Sequence, residues 1–322
     1  MEKATTFVPE IVDGRVADET GKVFDLTQSV PEASIAFVTL SIIAAVTVIV
    51  LLLIRFMNKN GGRFLPFILG LVSYMFFGYV IYGMLATLLT MIPGMTQFSL
   101  DYPVQRLVMV MVLSAFLCVF GRFFSLKLLA SRYDEPGDML TFSTGFALGN
   151  AGSNLIYWLM TMTVMMTINQ SGGLIGVFTD YSAEEMLVVA KNYEALFTTP
   201  KESWMYQGLF VVIMIAFNVY STILLYGVSK KQLPVYWTFI VTAVNFALTF
   251  VNGLAGYEYI PYMAAFIIEM LIIMVSLRYI FYVSKTELGD VLRTVNKPVN
   301  GKRKPAIMKN KNKGHQNFPK FK

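Results

Sequence analysis

Long apolar runs separated by short polar breaks dominate the chain. Seven runs are long enough to cross a bilayer, at roughly 34–56, 64–93, 104–129, 139–168, 204–228, 233–254 and 259–284. A spanning helix needs about 20 predominantly apolar residues, so each run qualifies on length. The pattern predicts an all-α fold, a polytopic membrane bundle of about seven transmembrane helices filling residues 34–284. The first run follows an acidic, polar leader and lacks the basic start and early apolar core of a cleavable signal peptide, so it is expected to remain as an anchor.

Three segments fall outside this pattern. Residues 1–33 include EIVDGRVADETGKVFDL, whose alternation around Gly and Asp predicts a small hairpin resting on the outer face, with a structureless tail as the alternative. A loop over about 169–203 contains YSAEEMLVVAKNYEAL. Apolar residues recur there at helical spacing behind Ser182, with Glu185 three positions on, which predicts a capped amphipathic surface helix. Residues 285–322 are poor in apolar residues, rich in Asn, Gly and Pro, and strongly basic, and are expected to form a disordered tail attracted to anionic lipid.

Composition sharpens the membrane reading. Of 322 residues 56% are hydrophobic and only 14% charged, against roughly 25% charged in soluble domains. One cysteine and one histidine exclude a disulfide framework, a CxxC redox pair and a cluster of soft ligands for zinc or haem, and no cofactor is expected. The histidine, His315, lies in the basic tail.

A net charge of +6 would suit nucleic acid if it were spread over a soluble surface, but its placement follows topology instead. Arg55, Lys59 and Arg63 follow run one, Lys127 and Arg132 follow run three, Lys230 and Lys231 follow run five, and the basic tail follows run seven. The alternate connections are acidic or sparsely charged, and residues 1–33 hold seven acids against three bases. The positive-inside rule then predicts an N-terminus outside and a C-terminus inside.

Polar groups at mid-depth are the candidate chemistry, because hydrocarbon makes each one costly. Asn150, Asn154, Asn218, Asn245 and Glu269 all fall near the centres of their runs, and a polar seam joining them is predicted. Asn150 and Asn154 share a helix face, and Gly145 and Gly149 supply a small-xxx-small pattern for close helix approach. Arg122 lies about nine residues nearer the cytoplasmic side, so direct pairing with Glu269 is not expected. The methionine-rich MTMTVMM stretch is expected to fill gaps between helices.

The stretches RFLPFILGLVSYMFFGYV, CVFGRFFSLKLL, TFSTGFALGNAGSNLIYW and FVVIMIAFNVYSTILLYGVSKKQLPVYWTFIVTAVNFALTF, taken in order over roughly 64–255, resemble the YhfC family of intramembrane metalloproteases, grouped with CAAX-processing and PrsW-type enzymes. In that family a pair of glutamates precedes a Gly-Arg; here Gly121 and Arg122 stand behind Cys118 and Val119. The family's histidine with a glutamate four residues on falls on Asn150 and Asn154. Its later histidine and aspartate fall on Asn245 and Thr249, and a further histidine falls near Phe217 or Asn218. The resemblance thus implies a protease scaffold whose metal and catalytic groups are replaced.

The leading expectation is a catalytically inactive, multi-pass protein of the bacterial cytoplasmic membrane that binds or stabilises a transmembrane partner or serves in a membrane complex, without metal or nucleic acid. A transporter or channel-like component for a small solute or proton is the alternative. An active intramembrane peptidase ranks third.

Overall fold

The computed structural model describes residues 8–129, 132–133 and 135–288. Eleven α-helices carry the described chain: α1 Glu32–Asn60, α2 Phe64–Tyr74, α3 Tyr82–Thr90, α4 Met95–Asp101, α5 Pro103–Leu129, α6 Pro136–Gln170, α7 Leu174–Val177, α8 Ala183–Thr198, α9 Lys201–Ser229, α10 Tyr236–Gly256 and α11 Tyr262–Glu287. Among the described residues, six helical stretches are long and apolar enough to cross a membrane: α1, the stretch Phe64–Thr90, α5, α9, α10 and α11. The chain is therefore an all-α, multi-pass membrane bundle. Apolar side chains such as Leu40, Leu51, Leu128 and Val275 stand outward from it, as lipid-facing positions require.

The fourth predicted run differs from the other six in character. It forms α6, 35 residues long and about 50 Å at 1.5 Å per residue, but Gly, Asn, Ser and Thr dilute its apolar content. It is the central helix instead, buried along its first half among α1, α2 and α9. At one end the Asp138 carboxylate accepts hydrogen bonds from the Arg63 backbone and guanidinium, beside the last turn of α1. At the other end Asn169 pairs with both backbone groups of Val30, just before α1 begins, at 2.7 and 2.9 Å. Thus α6 runs antiparallel to α1 over its whole height.

The second run, expected as one helix over 64–93, is divided. A π-helical segment, Met75–Ile81, joins α2 to α3. Helix α2 packs backbone to backbone on α6, and glycines permit it. A Cβ added at Gly145 would lie 1.9 Å from the Phe67 carbonyl oxygen, and one at Gly70 would lie 2.0 Å from that of Phe142. The small-residue pattern at Gly145 and Gly149 therefore serves the α2–α6 contact.

Helices α1, α5, α9 and α11 run parallel. Ser41 meets Trp204 near their N-terminal ends, Arg122 meets Ser221 and Thr222, and Tyr220 meets Phe281. Their C-termini consequently gather Lys59, Lys127, Lys230 and Lys285 at one end of the bundle, where Arg63 also lies.

The opposite end carries a small cap. The expected hairpin is present with one strand more, as a three-stranded antiparallel sheet: β1 Ile11–Val12, β2 Arg15–Ala17 and β3 Val23–Asp25. Asp13 and Gly14 both take positive φ, the two-residue turn that suits the twist of a hairpin. Val16, Phe24 and Leu26 bury one face. Ion pairs Lys22–Glu194 and Lys191–Asp18 tie the sheet to α8. Helix α8 has the predicted capping box, the Glu185 backbone N–H donating to Ser182 Oγ while the Glu185 carboxylate accepts from the Ser182 backbone. The basic tail expected over 285–322 begins within α11, which runs to Glu287, and its remainder lies outside the described residues beyond Leu288.

Candidate functional site: an amide-lined cleft

Six of the positions singled out in the sequence meet between α5, α6, α9 and α10: Cys118, Asn150, Asn154, Asn218, Asn245 and Thr249. Cys118 is buried at their centre. Asn245 of α10 points its amide Nδ2 to Cys118 Sγ at 3.8 Å, and the thiol faces Asn218 Oδ1 of α9 at 3.9 Å. These are weak sulfur contacts, yet they bring three helices to one atom. Cys118, Asn150, Asn245 and Thr249 line a cavity of about 30 Å³ together with Tyr74 and Ser114. A larger cavity of about 170 Å³ adjoins it and shares Asn150 and Thr249, adding Ser153, Asn154 and Asn252.

Local structure explains the arrangement. Asn150 and Asn154 lie one turn apart on α6, as do Asn245 and Thr249 on α10, so each pair offers two polar groups along one face. The Thr249 hydroxyl donates back to the Asn245 carbonyl at 3.0 Å, keeping that turn satisfied within apolar surroundings. Asn150 is the better anchored of the α6 pair, because Tyr74 Oη donates to its Oδ1 at 2.8 Å. Asn154 is exposed at the mouth of the larger cavity.

Arg122, one turn below Cys118, is fully buried. Its Nη1 donates to the Asn218 carbonyl, to Ser221 Oγ at 3.0 Å and to Thr222 Oγ1 at 3.1 Å, and its guanidinium lies 5.3 Å from the Phe146 ring centroid. The residue binds helix α9 to α5 through a main-chain carbonyl rather than reaching toward the membrane surface. Among the described residues no ion pair joins it to Glu269.

Two expected members do not join the site. Glu269 is buried on α11, which packs against α9 and α10, and it makes no hydrogen bond to any of the asparagines; its Oε1 has no partner among the described residues. The predicted five-member seam is thus four asparagines, with the carboxylate elsewhere. Val119 is buried in apolar packing and lines neither cavity, since adjacent helical residues point about 100° apart and only Cys118 faces inward.

Tyr74, Tyr82, Ser114 and Asn252 line the cleft without having been singled out. Asn252 was legible as a further polar residue three positions after Thr249. Tyr74 carried no signal, because its place depends on the fold of the second run: the π-helical segment begins immediately after it, and π turns inside helices recur at functional sites.

A catalytic zinc site takes about three protein ligands from His, Cys and carboxylate. The cleft offers amides, hydroxyls and the single Cys118 thiol, and among the described residues no group of three or more His, Cys, Asp or Glu stands together. This donor set does not fit zinc. It fits hydrogen bonding to a neutral polar group, with both donors and acceptors at hand. Compared with known proteins, the chain matches no family model, no curated protein and no solved structure.

Proposed function

We propose that this protein is an inert relative of the intramembrane metalloproteases, of the bacterial cytoplasmic membrane, which holds a partner's transmembrane segment in the cleft where those enzymes carry out hydrolysis. One observation carries the reading. Of the positions that the YhfC resemblance assigns to metal and acid groups, Cys118, Asn150, Asn245 and Thr249 line one cavity, and Asn218 of a fourth helix faces the Cys118 thiol. Their replacement by neutral groups of similar size keeps the hydrogen bonds between helices and removes the base and ligands that peptide hydrolysis requires.

A partner helix entering the cleft would meet Asn154 first, since that amide is exposed at the mouth and uncommitted to Tyr74. Interhelical hydrogen bonds of this kind contribute about 0.6–2 kcal/mol each. A small-solute transporter is favoured less, because Glu269, the ionisable group such a path would use, lies away from the cavities.

The test joins composition with contact. Protein purified from native membrane and washed with chelator should contain far less than one zinc per chain, and a photo-crosslinking residue at Asn154 should trap one dominant membrane protein, while the same residue at lipid-facing Leu40 should not. About one retained zinc per chain, or peptide cleavage lost on Asn150→Leu, would overturn the inert reading. Solute uptake into proteoliposomes that Asn154→Leu abolishes would replace it with transport.

A further inference from the structure

A further cavity shares no lining residue with the amide cleft. It holds about 470 Å³ between α9, α10 and α11, walled by Phe217, Leu224, Val241 and Val244. Its volume lies within the range of small-molecule sites, and its walls are those of a hydrocarbon site. Three aromatic rings, Trp237, Tyr279 and Tyr282, mark the end that also carries Lys230, Lys231 and Lys285. Trp237 and Tyr279 lie 5.4 Å apart between centroids, and Tyr279 stacks toward Tyr282. Trp and Tyr gather at the level where hydrocarbon meets head groups, so this cleft begins at a membrane interface and runs inward.

Arg278 is the charged residue of the lining. It stands nine residues before the end of α11, or about 13 Å along the axis at 1.5 Å per residue. Its side chain is exposed and makes no ion pair or hydrogen bond among the described residues, and no acid lines the cleft. A guanidinium facing lipid at this depth requires an anion, and its stem allows it to reach toward the head groups. Apolar walls, an interfacial aromatic rim and one unpaired cation together have the pattern of a phospholipid. We infer that this cleft seats an acyl chain of an anionic phospholipid whose net negative head group pairs with Arg278.

The rest of the chain is a poor rival for the site. Residues 289–322 hold ten Lys and Arg against one acid, Asp290, and so share the sign of Arg278. The same basic residues draw anionic lipid diffusely, by an attraction that salt screens, whereas a chain held in the cleft would survive salt.

Native mass spectrometry of the full chain decides between them. Protein delipidated in detergent, mixed with phosphatidylglycerol and washed in high salt should retain one lipid per chain, and phosphatidylcholine of the same acyl composition should be retained at least about fivefold less, the weight of one basic residue at a membrane surface. Arg278→Leu should lower phosphatidylglycerol retention by a similar factor, and Val241→Trp should lower it by filling the cleft while leaving the charge. Lys309→Ala with Lys311→Ala should leave it unchanged. Retention by Arg278→Leu equal to that of the unaltered chain, equal retention of the two lipids, or loss only in the tail variant would overturn the inference. Because neither substitution touches Asn150 or Asn154, failure here leaves the partner-binding proposal standing.

Discussion

The Tyr74 hydroxyl donates a 2.8 Å hydrogen bond to the side-chain carbonyl of Asn150, linking the turn before the π-helical segment to the central helix. The Tyr74 ring also meets Phe146 edge-on at 5.1 Å, and Gly149 leaves room for its Cβ. One aromatic residue thereby fixes the irregular second run and orients an amide of the cleft. Removing the hydroxyl alone, in Tyr74→Phe, should lower stability in detergent by about 1 kcal/mol, the usual net value of such a bond. Combined with Asn150→Leu, the loss should be smaller than the sum of the two, since both remove the same contact. Additive losses would show that the bond contributes nothing.

The two asparagines of α6 should separate in their effects. Asn150→Leu breaks the tie to Tyr74 and should destabilise, whereas Asn154→Leu, at an exposed mouth position, should stay within about 0.5 kcal/mol of the unaltered protein. Thermal unfolding followed by light scattering would measure both, and a reversed order would contradict the placement of Asn154.

Gly145→Val should prevent assembly of the bundle. Its Cβ would collide with the Phe67 carbonyl, a backbone atom with no room to retreat while α2 remains against α6. Yield of monodisperse protein after extraction is the readout, and Gly256→Val, where an added Cβ meets nothing within 4 Å, is the control.

The three-stranded cap should loosen in acid. Hydrogen bonds from Thr20 hold the Asp18 carboxyl down at about 2, below its ordinary 3.8, with further help from the Lys22 backbone and from Lys191. A depressed folded-state pKa means that this contribution is fully present above about pH 4 and is lost as pH falls from 3.8 through about 2. Hydrogen exchange at residues 15–25 should therefore quicken over that window, and Asp18→Asn should reduce the change, leaving the part due to Asp25, which Thr27 holds down in the same way.

Topology gives an independent check. Alkaline phosphatase fused within 170–200 should be active and fused after Lys285 inactive, as the clustering of Lys59, Lys127, Lys230 and Lys285 at one end leads us to expect. The opposite pattern would invert the assignment of the sheet and α8 to the outer face.

The sequence by itself determined the bundle, because a run of about 20 apolar residues has one low-energy state in hydrocarbon, a helix that satisfies its own backbone. It likewise determined α8, whose capping box is a local exchange between Ser182 and Glu185. That residues such as Asn150 and Asn245 could meet was also legible from their count along each run, and they line one cavity. Rotation was not. Whether Val119 or Cys118 faces the cleft, and whether Glu269 joins the asparagines or stands apart on α11, depends on how each helix turns about its axis. Packing decides that through contacts such as Gly145 on Phe67 and Arg122 on the Asn218 carbonyl. The break of the second run at Met75–Ile81 is tertiary for the same reason: an apolar stretch reads alike as α or π helix until a neighbour such as Asn150 claims Tyr74.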